Sequence, residues 1–402
     1  MSETAVVEVR ASALAGRAAQ VGADTLRIYT LASEAYVAML EAIDLARERV
    51  RLETYILRDD QLGAQFAAAL TRAAARGVEV RLLADWFGCV TTSSAYFERL
   101  RQAGVGVSLF NPVSLLRAHY LWPLRDHRKI LVCDGRVAFT GSLNIGNEFC
   151  GYDTDGIGWH EVHVRIEGPA AAELERLFDE TWETAVLGRP WYRPPPPREL
   201  LRRLWTAARR QPPRSDAWSD GGQLRILRSG TWRDGRTISR VYEGLLKRAR
   251  HRVTIMNPYF IPGRRFLRAL KAACRRGVRV RLMSSASTDV PPAWYASRNL
   301  YARLLQWGVE IWLWRGAHLH SKVVVVDESW AAIGSYNFDN FSLLRNLEVV
   351  VSVSNRTVAA SLEETFEREK PLCTRLELPA WKRRSLAQKL LERLAYLLRY
   401  WL

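Results

Sequence analysis

The chain has 402 residues, 48% of them hydrophobic, a formal net charge of +17 and an isoelectric point near 10.0. That length allows two domains with their own cores, and that apolar content excludes an intrinsically disordered chain. The basic excess calls for an anionic partner, whether nucleic acid, an anionic membrane surface or a phosphorylated substrate, and charge alone does not choose among them.

In chain order, "MSETAVVEVRASALAGRAAQ" has an early glutamate and no basic stretch leading into an apolar run, so it is not expected to be a signal peptide. Nowhere does the sequence approach the ~20 consecutive apolar residues of a spanning helix. "ERVRLETYIL" (48–57) reads as a strand, and "FAAALTRAAARGVEVRLL" (66–83) as an amphipathic helix, a glycine stop at Gly77 and a second strand. "LRQAGVGVSLF" (100–110) repeats helix, glycine, strand. The same order returns later in "HRVTIMNPYFI" (251–261), "FLRALKAACRRGVRVRLM" (266–283) and "LLQWGVEIWLW" (304–314). An internal repeat of strand-helix units predicts two α/β halves with mixed sheets. We expect them at 1–187 and 224–375. Between them, 188–223 holds seven of the sixteen prolines and eight arginines, the composition of an extended basic linker.

Each half also carries one chemical motif. "HRKILVCDGRVAFTGSLN" (127–144) and "HSKVVVVDESWAAIGSYN" (320–337) share histidine, lysine, aspartate, glycine, serine and asparagine at identical internal spacing. On an extended strand residues two apart share a face, so His127 and Lys129, like His320 and Lys322, project together. An antiparallel return brings Ser142 and Asn144, or Ser335 and Asn337, into the same small volume. Such groups suit a phosphodiester. Lysine and asparagine donate to its non-bridging oxygens, one histidine attacks phosphorus, and the other exchanges protons with the leaving and entering alcohols. The near-symmetric halves leave the choice between the two histidines open, and we assign His127 as nucleophile.

A nucleophilic imidazole needs its second nitrogen held by an acid. Glu348, eleven residues past Asn337, and Glu161 at the matching strand position are the candidates, with Asp155 as the alternative in the first half. Asp134 and Asp327 fall at strand ends and are expected to fix turns. The two lysines balance the substrate's charge, so neither a metal nor another cofactor is expected. His119, His160, His163, His251 and His318 have no such context and default to structural or surface positions, although His318 could line the mouth of the site. The cysteines (Cys89, Cys133, Cys150, Cys274, Cys373) are odd in number and widely spaced, as for free thiols in a reducing cytoplasm.

With HxKxxxxD and GSxN complete in both copies, the sequence resembles the phospholipase D superfamily over nearly its whole length. Wider stretches such as "LRDHRKILVCDGRVAFTGSLNIGNEF" and "GSYNFDNFSLLRNLE" are most similar to bacterial cardiolipin synthases of the kind without N-terminal spanning helices. The resemblance implies two halves about a pseudo-twofold axis, one metal-independent site and a phosphohistidine intermediate. It further implies transfer of a phosphatidyl group to phosphatidylglycerol or a related alcohol, with hydrolysis or nuclease action at the same site as the alternative. Phospholipids and an anionic membrane surface are the partners expected, nucleic acid is not, and the place is the cytoplasmic side of the bacterial inner membrane.

The final segment, 376–402, is basic and amphipathic. Leu386, Leu390, Leu394, Leu397 and Trp401 share a stripe, and six basic residues from Lys382 to Arg399 face the single acid Glu392. A helix of that pattern lies on anionic lipid or docks on the protein's own core, and the lipid substrate favours the former. The fifteen tryptophans agree with a membrane interface.

Overall fold

A computed structural model describes residues 18–112, 124–150, 158–187, 223–230 and 236–401. Asp155, His119 and nearly all of the proline-rich linker lie outside these residues.

The first lobe runs β1 (Ala19–Val21), β2 (Asp24–Tyr29), α1 (Ala32–Leu45), β3 (Arg49–Thr54), α2 (Gln61–Ala75), β4 (Glu79–Asp85), α3 (Ser94–Gln102) and β5 (Gly106–Phe110). It continues with β6 (Arg125–Asp126), β7 (Ile130–Cys133), β8 (Val137–Gly141), α4 (Asn147–Cys150), β9 (His163–Glu167) and α5 (Pro169–Val186). The second lobe runs β10 (Gln223–Ser229), α6 (Thr237–Arg248), β11 (Arg252–Met256), α7 (Arg264–Arg275), β12 (Arg279–Ser285), α8 (Pro291–Gln306) and β13 (Glu310–Trp314). After these come β14 (Val323–Val326), β15 (Trp330–Gly334), α9 (Asn340–Leu344), β16 (Asn346–Ser354), α10 (Arg356–Glu369), β17 (Cys373–Arg375), α11 (Leu378–Lys382) and α12 (Leu386–Leu397).

The repeat is visible in the strand order. One sheet reads β1-β2-β9-β8-β7-β3-β4-β5 and the other β10-β16-β15-β14-β11-β12-β13-β17. From β2 and β10 onward each strand of the first sheet has its counterpart in the second, which β17 then extends at its edge. In both sheets three strands are parallel (β3-β4-β5; β11-β12-β13) and the next is antiparallel. The paired helices explain themselves in the same terms. Phe66, Ala69, Leu70 and Ala73 of α2 are buried, as are Phe266, Ala269, Leu270 and Ala273 of α7. Gly77 and Gly277 then stop the helices at φ of 86° and 87°, a region that favours glycine.

Each lobe buries a core between its sheet and its outer helices. A third apolar cluster joins the lobes. Ile130, Val132, Val164 and Ile166 of the first sheet meet Val323, Val325, Val349 and Val351 of the second, under α5 and α10. Strands buried on both faces read as continuous β-branched runs, which is why β14 is four consecutive valines. This shared core fixes how the two motifs face one another.

The tail departs from a single helix. β17 pairs with β13, and Ser385 caps a fresh helix by accepting from Gln388 N, so α12 begins after a break. It docks on the protein through Glu392 and Ala395, both buried. The Glu392 carboxylate meets Arg298 Nε at 3.0 Å and Arg384 Nη2 at 2.7 Å, and both guanidiniums lie over the Trp381 ring. The leucines point outward: Leu386, Leu390, Leu394 and Leu397 are 51–82% exposed. Docking on the core and an exposed apolar stripe thus coexist, because the one acid of α12 rather than a leucine faces inward.

Candidate active site

The motif's histidine sits where the chain leaves one lobe's sheet for the other. β6, just ahead of His127, pairs in parallel with β16 of the second lobe, and His127 N donates to Leu347 O at 3.0 Å. Leu319, just ahead of His320, forms the equivalent parallel bridge to His160, and His320 N donates to His160 O at 2.8 Å. Each histidine and its lysine therefore occupy a short extended gap between a foreign strand and their own, rather than the interior of a strand.

The crossing decides which acid serves which base. His127 Nδ1 lies 3.1 Å from both carboxylate oxygens of Glu348, in the second lobe. His320 Nδ1 lies 2.7 Å from Glu161 Oε1, in the first. The serines complete each pair from the acid's side: Ser142 Oγ donates to Glu161, and Ser335 Oγ to Glu348, which also accepts from Ser342 Oγ at 2.7 Å. These hydroxyls, expected among the phosphate-facing groups, are taken up by the carboxylates. All four members of the two pairs are buried.

An ionised carboxylate only accepts, so Nδ1 carries the proton and the Nε2 lone pair is free on each ring. Burial pulls His127 down to about 4, with the neighbouring lysines adding to the effect and Glu348 opposing it. His320 is lowered by burial too. Burial would raise the Glu161 carboxyl, but His320, Lys322 and Ser142 hold it down at about 2. Burial thus favours the neutral form of both imidazoles.

Lys129 Nζ donates to His127 O at 2.6 Å, and Lys322 Nζ to His320 O. Burial, and then the charge of Lys322, lowers Lys129 to about 7, while burial lowers Lys322 to about 8. The influence of Lys322 on Lys129 and on His127 brings both copies into one electrostatic neighbourhood. It is poised to take up an anion, which would restore both protons.

Other motif residues build the frame. Asp134 accepts the backbone N–H groups of Arg47, Glu48 and Arg49 at 2.8–2.9 Å, and Asp327 those of Arg250, His251 and Arg252 over the same range. Both sit at positive φ, 54° and 50°, which aspartate tolerates better than most residues. They tie the turn after the motif strand to the start of β3 or β11. Asn144 Oδ1 accepts from Ile56 N at 3.2 Å, whereas Asn337 Oδ1 is buried with no partner among the described residues. Gly141 has φ 150°, and a Cβ there would sit 2.6 Å from Val162 O, so glycine lets β8 press against the extended stretch ahead of β9 that bears Glu161.

Several neighbours were not singled out from sequence. Tyr55 packs edge-on to His127 and beneath Lys129, and Trp159 edge-on to both His320 and His318. Asp85 Oδ2 accepts from Asp126 N at 2.9 Å, holding the strand that presents His127, and burial lifts its carboxyl to about 7. The aromatic in "ETYIL" and the tryptophan before His160 were the available signals. His160 forms a buried 2.5 Å contact with Glu369 across the lobes, and His163 is buried beside Gly141. Among the described residues no group of three or more His, Cys, Asp or Glu side chains could hold a metal ion.

Two equivalent α/β lobes with a complete twin motif at their seam define a member of the phospholipase D superfamily. The chain belongs, within it, to the family whose model is described as "Cardiolipin synthase, PLD-like domain", matched over residues 39–182 and 242–370. It is 34% identical over 322 residues to a cardiolipin synthase of Geobacillus thermodenitrificans, covering 80% of this chain and 61% of that protein. It is also 34% identical over 345 residues to cardiolipin synthase A of Pseudomonas aeruginosa, covering 86% and 66%. The chain thus spans under two thirds of the length of these relatives. Among solved structures, phosphatidylserine synthase of Haemophilus influenzae aligns over 100% of both chains with a TM-score of 0.70 at 15% identity, a likeness of fold.

Proposed function

We propose that the chain is a phosphatidyltransferase that moves a phosphatidyl group from one phospholipid to the hydroxyl of phosphatidylglycerol or a related alcohol, in the manner of a cardiolipin synthase. The observation that carries this reading is the crossed pair of contacts, His127 to Glu348 and His320 to Glu161, which supports a single site built from both motifs. Nε2 of His127 attacks phosphorus and the bond to the leaving alkoxide breaks. His320, as an imidazolium held by Glu161, gives that oxygen its proton. The shorter carboxylate contact to His320 favours it as the proton carrier, and the arriving phosphodiester raises its proton affinity. The entering alcohol then returns a proton to His320, its oxygen bonds to phosphorus, and the phosphorus–nitrogen bond breaks. Lys129, Lys322 and the two asparagines meet the non-bridging oxygens, where charge accumulates. Tyr55, Phe149 and Trp159 around the imidazoles restrict water, which favours an alcohol acceptor.

No helix among the described residues is long and apolar enough to cross a membrane. The outward leucines of α12 support peripheral attachment to anionic lipid on the cytoplasmic side of the inner membrane. The test is to supply labelled phosphatidylglycerol in mixed micelles and resolve the products. Cardiolipin and glycerol support the proposal. Phosphatidic acid alone makes the chain a hydrolase, and cleavage of DNA without lipid turnover makes it a nuclease.

A further inference from the structure

Away from the His–Glu site, α7, α8 and the tail enclose a groove of about 660 Å³ lined by Arg264, Leu267, Arg268, Lys271, Arg303, Trp307, Tyr396 and Arg399. Five of its eight residues are cations and none is acidic. Arg264, Arg268 and Lys271 recur at helical spacing on one face of α7. Arg303 and Trp307 come from the end of α8, and Tyr396 and Arg399 from the tail. None of the five cations forms an ion pair with a carboxylate among the described residues, although this chain pairs many other arginines. Lys271 lies over the Trp307 ring and Arg399 over Tyr396, so two of the charges are held in place by aromatic walls.

Uncompensated like charges from three elements repel one another, and an anion drawn among them relieves that repulsion. What kind of anion follows from the neighbourhood. Tyr396 belongs to α12, whose Leu390, Leu394 and Leu397, with Leu398 just after it, are more than half exposed and turn away from the protein. A helix that dips its leucines into a bilayer brings its flanking groove to the depth of the phosphates. Trp307 and Tyr396 are the aromatic types that settle at that level.

We infer that this groove binds the headgroup of an anionic phospholipid in the membrane, separately from the phospholipid at the reacting histidines, and so anchors the enzyme on acidic bilayers. The inference rests on the membrane-attached reading above, but its readout is binding and not turnover. The experiment is sedimentation of the full chain with phosphatidylcholine vesicles, with and without phosphatidylserine. It compares the parent, a groove variant (Arg264→Gln, Arg268→Gln and Arg303→Gln together) and a control of equal charge (Arg101→Gln, Arg136→Gln and Arg225→Gln together). Each basic residue near an anionic surface is worth about fivefold in binding, so the groove variant should lose on the order of a hundredfold on phosphatidylserine vesicles. The control should lose far less, and both should turn over substrate dispersed in neutral detergent at the parental rate. Equal losses in the two variants would reduce the groove to net charge and overturn the inference. So would parental binding by the groove variant, or loss of its turnover in detergent, which would make the groove part of the reaction path. Should phosphatidyl transfer itself prove absent, the vesicle comparison still stands or falls unaided.

Discussion

Replacing Glu161 by glutamine keeps the size of the side chain and a hydrogen bond with Ser142, but removes the charge 2.7 Å from His320 Nδ1. What is lost is the stabilisation of an imidazolium by a carboxylate. With charge centres ~4 Å apart and an effective dielectric of ~20, that attraction is about 4 kcal/mol. At 1.36 kcal/mol per factor of ten, kcat for phosphatidyl transfer should fall about a thousandfold. The assay is release of labelled glycerol from phosphatidylglycerol in micelles, with a thermal melt of each variant to show that it is folded. The crossing sharpens the test. A phosphodiester with a p-nitrophenolate leaving group needs no proton from His320, so its first step should survive in Glu161→Gln. The same step should remain slow in Glu348→Gln, where the nucleophile His127 has lost its partner. A Glu161→Gln rate within about tenfold of the parent on the lipid substrate would refute the reasoning. Rescue by the good leaving group in Glu348→Gln instead would reverse the roles of the two histidines.

Four further outcomes follow. Lys129 and Lys322, lowered to about 7 and about 8, are cationic only below those values, so kcat/KM should decline as pH rises through that window. The alkaline limb of kcat should lie higher, because bound phosphate restores the protons, and coincident limbs would contradict the assignment. Asp134→Ala removes a carboxylate acceptor from three backbone donors and should cost about 2 kcal/mol in denaturant unfolding while sparing kcat in the folded fraction. Glu392→Ala leaves Arg298 and Arg384 without their buried partner, which should weaken tail docking by about 3–5 kcal/mol and expose residues after Trp381 to limited proteolysis. Leu390→Ser with Leu394→Ser should weaken vesicle binding by more than about tenfold without changing micellar turnover.

Some of this architecture is legible in the sequence because it is local. Helix, glycine, strand at 66–83 and again at 266–283 reveals the duplicated lobe through patterns a few residues long. The strand-end aspartates are legible only in their backbone, since a tight turn at positive φ favours a short polar residue, whereas the three N–H groups that each accepts from lie at the distant start of β3 or β11. Which glutamate holds which histidine is not local. Glu348 follows His320 along the chain yet serves His127, because the short pairings of β6 with β16 and of Leu319 with His160 exchange strands between lobes. No spacing encodes that exchange. Tail polarity misleads for a related reason. Glu392 counts as a polar-face residue on a helical wheel, but two arginines and a tryptophan elsewhere in the fold make its side the buried one. Tyr55 and Trp159 escape notice because an aromatic's partner, here an imidazole from the motif, is set by tertiary packing.

The claim that two motifs form one reacting centre is tested most directly by counting the covalent intermediate. Parent enzyme and His320→Ala should be quenched during turnover of a phospholipid labelled in its phosphate and then mapped by peptide. The account predicts no more than one label per chain, on His127, with its breakdown slowed in His320→Ala. Label on both histidines of one chain, or label in a His127→Ala variant, would contradict it.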